Sequence, residues 1–344
     1  MNPRRDLPRA RAQRGAPARA LLNLARVVKR EGIAGIGHAI RYVLAKRRDY
    51  SLSVPFAYPI AAPPADPSVA VLCHIFHDEL TPVLGRYLRN IPFPCHLFVS
   101  TDTAAKQAAI ARSFSDWKNG PVDVRLAPNR GRDIAPKLVA FADVYDRFEY
   151  VLHVHSKRSI HNARLHGWGE FLLENLLGSA DVVRSVFEIF SSCPNVGLVS
   201  SQHFEPVRFG LGWGDNFALA EKLAARMGVS IGRTRRFDFP SGSMFWARTA
   251  ALQPLLDLRL AVDDFPPEQG QLDGTLAHAI ERIYYFSCER AGLDWVKIAC
   301  PDQFKETRRI APIDSPQALD EFMQCRIVRL TGPRPAPASA PRDR

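Results

Sequence analysis

From residue 69 the chain alternates short apolar runs with longer amphipathic stretches. Val69-Ala-Val-Leu-Cys-His-Ile-Phe76 is a continuous apolar run between turn formers, the pattern of a strand buried on both faces. His96-Leu-Phe-Val-Ser-Thr-Asp102, Val122-Asp-Val-Arg-Leu126 and Tyr150-Val-Leu-His-Val-His155 read as three more strands. The segments between them, 79–90, 103–115 and 134–146, read as helices. Beyond residue 157 the pattern predicts helices over 168–177, 180–191, 271–291 and 316–325, with a strand at 196–199. A loop from Phe239 runs into another strand ending near Ala247, and no internal repeat is visible.

Strands and helices alternating at this spacing predict an α/β fold, a mainly parallel sheet with helices on both faces. Such sheets bind ligands beyond the carboxyl ends of their strands, in the crevice where strand order switches. His74, Asp102, Asn129, His153 and His155 end these apolar segments and fall where that rule puts a ligand.

The chain ends read differently. Residues 1–20 are rich in Arg, Ala and Pro and are expected to be disordered, as is the proline-rich 331–344. Five prolines between Pro55 and Pro67 read as an extended linker. The expected organisation is therefore an arm and linker over 1–66, one domain over 67–312, a helix within 313–330 and a tail over 331–344.

Of 344 residues, 46% are apolar and 24% charged, which is ordinary for a globular protein. The net charge of +11 matters more once located. Residues 1–48 hold 13 Lys or Arg against Asp6 and Glu31, so the rest of the chain carries 33 of each sign. A neutral body argues against nucleic acid as a partner. A basic arm carrying Leu21, Leu22, Leu24, Val27, Val28 and Ile33 fits an amphipathic segment on anionic lipid, although Gly32, Gly35 and Gly37 interrupt it; a solvated tail is the alternative. No apolar stretch approaches the roughly 20 residues of a membrane span, and no signal sequence is visible. Six scattered cysteines without a CxxC pair fit reduced thiols in the cytoplasm. The expected location is the cytoplasm, peripheral at the inner face of the cell membrane.

Three clusters carry candidate chemistry. His153-Val-His-Ser-Lys-Arg158 ends a strand, so His153 and His155 share a face and could chelate one divalent ion. An HxH start of this kind also occurs in metal-dependent phosphoesterases, which need further His and Asp ligands. Lys157 and Arg158 could instead neutralise a pyrophosphate. Asn129-Arg-Gly-Arg-Asp133 precedes a helix, with Gly131 allowing close backbone approach and Asp133 placed as ligand contact or N-cap. Asp263-Asp-Phe-Pro-Pro-Glu-Gln-Gly-Gln-Leu-Asp273 runs on into His278, Glu281 and Arg282. Capping explains some of these acids, while Asp264, Glu268 and Asp273 are candidates for a general base.

These segments, with Cys73-His-Ile-Phe76 and Phe239-Pro-Ser-Gly-Ser-Met-Phe-Trp-Ala-Arg248, keep their order across residues 69–290. Together they resemble the rhamnan synthesis protein F family of bacterial polysaccharide glycosyltransferases. The resemblance implies a GT-A-like, Rossmann-related domain that transfers a deoxysugar such as rhamnose from dTDP-rhamnose to a growing glycan or lipid-linked acceptor. It implies donor contacts from His74, Asp102, Asn129, Gly131, Arg132, Asp133, His155, Lys157, Ser241 and Gly242. Acceptor contacts are expected from Trp168, His278 and Arg282, with Mn²⁺ or Mg²⁺ as an optional cofactor and other polysaccharide-assembly enzymes as possible partners. Where many GT-A enzymes carry Asp-x-Asp, this chain has His153-Val-His155. A non-catalytic assembly protein is the rival reading from outside the enzymes.

Overall fold

The computed structural model describes residues 49–60, 67–157, 165–271, 273–303 and 309–332. The basic arm over 1–48, Arg158 and the tail beyond residue 332 lie outside the described residues. The chain enters the fold at β1 (Ser51–Ser53) and continues through β2 (Val69–His74), α1 (Thr81–Leu88), β3 (His96–Thr101), α2 (Ala104–Ser113) and β4 (Val122–Leu126). A π-helical turn (Pro136–Ala140) and a 3-10 turn (Ala142–Val144) lead to β5 (Tyr150–His155). Then follow α3 (Trp168–Leu177), α4 (Ala180–Ser192), β6 (Val196–Ser201), α5 (Phe217–Arg226), β7 (Phe245–Arg248) and α6 (Thr249–Leu256). The last elements are α7 (Leu276–Glu281), α8 (Tyr284–Arg290), β8 (Asp294–Ala299), β9 (Ile310–Ala311) and α9 (Pro316–Arg326).

The strands form one sheet in the order β4-β3-β2-β5-β7-β6-β8-β1-β9. Every pairing is parallel except those of β7, which runs antiparallel between β5 and β6. Side chains alternate across the sheet: Val69, Val71 and Cys73 of β2 join one core, Ala70 and Leu72 the other. Helices cover both faces, which is why β2 and β5 are buried at every position. The α/β class with a mainly parallel sheet is therefore as expected from the alternation.

Three local expectations need correction. The folded body does not wait for residue 67: β1 lies between β8 and β9, and Leu52, Val54 and Phe56 are core residues. The helix expected over 134–146 is a widened turn and a 3-10 turn, with Pro136 near its start and Lys137 turned into the protein interior. The helix expected over 271–291 is two helices. At the break the Arg282 amide bonds the Ala279 carbonyl, three residues back, while the Arg282 guanidinium covers the His278 carbonyl. The side chain thus takes the place of a ladder donor.

Leu52 is fully buried although it belongs to a three-residue strand far from its partners in sequence. Leu52→Ala is expected to cost about 2–5 kcal/mol of unfolding free energy, read as a lower urea midpoint. A loss below about 0.5 kcal/mol, the range of an ordinary surface change, would place β1 outside the cooperative core.

Candidate active site

Strand order reverses at β2: β3 and β4 extend to one side, and β5 is laid down on the other. In register, the last residue of β2, His74, stands opposite the last residue of β5, His155. A cleft of about 470 Å³ opens over these two strand ends, where a parallel sheet offers its ligand site. His74, Asn129, Arg132, Asp133, His155, Lys157, Trp168, Gly242, Glu268, His278 and Arg282 all line it. Segments separated by more than two hundred residues therefore meet in one cleft.

Lys137 organises the wall of the cleft. Its side chain is fully buried, and its ammonium donates to Asp133 Oδ2 at 2.7 Å and to the Ser243 carbonyl at 2.9 Å. Burial alone would push the Asp133 carboxyl up. The ammonium groups of Lys137 and Lys157 reverse that and hold it well below the usual carboxylate range. Asp133 is thus an ionised partner of Lys137, and no N-cap. The turn before it is tight: Gly131 and Arg132 both have positive φ, at 66° and 56°. A Cβ on Gly131 would lie 2.4 Å from the Phe265 ring and 2.6 Å from Ala135 Cβ, so this position requires glycine. The strained turn presents Arg132 to the cleft, its amide held by Glu268 Oε1 at 3.1 Å.

The two histidines of β5 have different surroundings. His153 is fully buried, packed against Phe245 and Tyr284. Tyr145 gives its hydroxyl proton to the Lys137 carbonyl (3.0 Å), so at 2.8 Å it must accept from Nε2–H of His153. His153 therefore supports the wall from behind and does not line the cleft. His155 does line it, with Nδ1 at 3.3 Å from Asp133 Oδ2; burial keeps its imidazole well below the usual range, hence neutral. Among the described residues no three His, Cys, Asp or Glu side chains gather to hold a metal ion. His153 is committed to Tyr145 behind the wall while His155 faces the cleft, and the larger ligand cluster a phosphoesterase needs is not found among the described residues.

Lys157 projects into the cleft with its ammonium 3.7 Å from the centroid of the Trp168 ring. Trp168, expected to contact the acceptor, lines the cleft and supports the lysine with one face of its ring. Trp168 also packs beneath Gly242, where a Cβ would lie 3.3 Å from the indole. The Ser241–Ser243 loop is tied at each residue. Ser241 Oγ bonds His203 Nδ1 (2.8 Å), whose Nε2 bonds Asp238 (2.9 Å); Gly242 N donates to Glu281 Oε1 (2.8 Å); and Lys137 holds Ser243. Ser241 itself, like Gly131, supports the cleft without lining it.

Of the three candidate bases, Glu268 alone lines the cleft. Asp264 caps its own 3-10 turn through the Ala261 amide (2.8 Å). Asp273 is clamped by Asn216, the Asp215 amide and Arg282. His278 accepts from Arg132 at Nε2 and so donates from Nδ1 to Thr275 Oγ1 (2.7 Å). Arg282 spends its guanidinium on the Gly212 and His278 carbonyls and on Asp273. Asp102 bonds Lys106 (2.7 Å) at the end of β3, beside the cleft but not in its lining. Glu281 also lines the cleft, and Lys137, outside all three sequence clusters, braces its wall. The signal for Lys137 was a lone charge within Ile134-Ala-Pro-Lys-Leu-Val-Ala-Phe141, four residues after an aspartate.

The profile of the family described as RgpF, rhamnan synthesis protein F, matches residues 46–292. The chain belongs to the rhamnan synthesis protein F family. Two curated relatives, both described as uncharacterized protein WxcX, come from two strains of Xanthomonas campestris pv. campestris (B100 and ATCC 33913). Each is 34% identical over 235 residues, covering 68% of this chain and 33% of the relative. The chain thus spans about a third of the length of the relatives it matches. Among solved structures, the mannosyltransferase PcManGT from Pyrobaculum calidifontis, in complex with GDP-Man and Mn²⁺, aligns over 83% of this chain and 69% of its own. The TM-score is 0.45 and the identity 14%.

Two outcomes follow. Lys137→Met leaves the Asp133 carboxylate without its ammonium and is expected to cost about 3–5 kcal/mol. Adding Asp133→Leu should recover most of that loss in a double-mutant cycle, and additive losses would show that the two do not interact. Burial draws His74 and His278 down to about 4, from about 6.5 in the unfolded chain. Between those values the unfolded state binds more protons, so this stability is fully present above pH 6.5 and lost as pH falls towards 4. The effect is of the order of 3 kcal/mol per histidine. Thermal melts from pH 7.5 to 4 should show the decline, and a flat profile would contradict it.

Proposed function

We propose that the protein is a glycosyltransferase that moves a deoxyhexose, rhamnose from dTDP-rhamnose, onto a growing cell-surface polysaccharide or lipid-linked acceptor, with inversion. The observation that carries this reading is the cleft at the β2–β5 switch, where Arg132 and Lys157 supply fixed positive charge and Glu268 a carboxylate, in a chain of this family. Asn129, His155 and the Gly242 loop complete the donor side.

In this reading the acceptor hydroxyl attacks C1 of the donor sugar while the bond from C1 to the phosphate oxygen breaks. Its electron pair leaves with the nucleoside diphosphate, whose growing charge Arg132 and Lys157 offset. Glu268 takes the hydroxyl proton. One of its oxygens is held by the Arg132 amide, and the residue lines the cleft. Asp264 and Asp273, engaged in caps and clamps, are not assigned this step. His278 and Arg282 shape the acceptor side chiefly by fixing Arg132 and the α7–α8 break. The basic arm, residues 1–48, is assigned to anionic lipid at the inner leaflet, so its deletion should lower liposome binding; unchanged binding would remove that role.

Release of nucleoside diphosphate from dTDP-rhamnose, UDP-sugars and GDP-sugars, with a membrane extract as acceptor source, tests the reading. Turnover is expected with the dTDP-sugar, and Glu268→Gln should lower it about 10²–10⁴-fold. Turnover preserved in Glu268→Gln would overturn the base, and no release from any donor would count against the transferase itself.

A further inference from the structure

The charge on a donor diphosphate must be countered, either by a divalent ion or by fixed cations of the protein. Hard divalent ions take oxygen ligands, and the carboxylates of this cleft are already engaged. Asp133 is held by the Lys137 ammonium at 2.7 Å. Glu281 accepts from the Gly242 amide at 2.8 Å and lies 3.6 Å from Arg282. Glu268 accepts from the Arg132 amide. A metal bound at Asp133 would displace Lys137 or meet its charge at close range, and the ammonium has no solvent to retreat into.

The same wall is well supplied with cations. Arg132 reaches the cleft from a turn whose φ values admit little movement, and its guanidinium is steadied by His278. Lys157 is held over the Trp168 ring, and Gly169 packs against its stem, where a Cβ would lie 3.2 Å from Lys157 Cβ. Behind both, Lys137 occupies the interior side of Asp133.

We infer that the donor diphosphate is held by side-chain cations, Arg132 and Lys157 directly and Lys137 as a fixed charge behind Asp133, and that no divalent ion is required to bind it. This rests on the donor-binding reading above. Neutralisation by pre-positioned side chains orders no metal ligands on binding, so donor affinity is insensitive to chelators and falls with added salt.

The test is calorimetric titration of the full-length protein with dTDP, UDP and GDP, first in EDTA and then with Mn²⁺ or Mg²⁺. The expected result is binding in EDTA with a Kd that the metal changes by less than about threefold. Lys157→Ala and Arg132→Ala should each weaken it about 10–100-fold, the range for losing a charged hydrogen bond. Their folding is checked by melting temperature, and because both side chains reach the cleft surface they remain informative even where Lys137→Met fails to fold. Binding that appears only with metal, or tightens more than tenfold with it, overturns the inference and leaves the donor reading standing. Undiminished affinity in both alanine variants removes the assigned cations. No nucleotide binding under either condition removes the donor reading itself.

Discussion

A fully buried ammonium group governs the geometry of this cleft. Moving the Lys137 charge out of water is costly unless it is closely paired and hydrogen-bonded, and its two partners fix where everything near it can sit. One is Asp133, at the end of the turn that presents Arg132; the other is the carbonyl of Ser243, in the loop that enters β7. The widened helical turn over Pro136–Ala140 follows from the same demand, since it carries Lys137 inward. Tyr145 then links the Lys137 carbonyl to His153, joining this wall to β5.

The consequence is a site assembled from rigid parts. Each residue of the Ser241–Ser243 loop is fixed by a different element: His203 after β6, Glu281 at the end of α7, and Lys137 in the π-helical turn. Lys157 is likewise held in place by Trp168. Groups fixed before a ligand arrives need little reorganisation, which is what electrostatic stabilisation of a leaving diphosphate demands. Of the three candidate carboxylates, Glu268 alone lines the cleft.

Much of this was legible in the chain, and the failures share a cause. β2 and β5 could be read because strands buried on both faces are apolar throughout, and the polar residues ending them marked the site. Gly131 was expected to admit a ligand to the backbone; what requires glycine there is the Phe265 ring and Ala135, partners that the local sequence does not show. What escaped depended on partners distant in sequence. β1 is three residues long and is a strand only because β8 and β9 flank it. The break in the 271–291 segment depends on Arg282 turning back to His278, which periodicity does not encode. Asp264 and Asp273 look like their neighbour Glu268 in sequence, and only the positions of Ala261, Asn216 and Arg282 separate them. His153 and His155 share a strand face, yet one is enclosed by aromatic rings and the other opens to the cleft.

In the proposed reaction a donor diphosphate occupies the cleft at the β2–β5 switch. Determining the crystal structure of the full-length protein with a nucleoside diphosphate bound addresses it most directly. The account places the phosphates within hydrogen-bond reach of Arg132 and Lys157, beside the Gly242 loop. A nucleotide seated elsewhere on the molecule, with this cleft left to solvent, would contradict it.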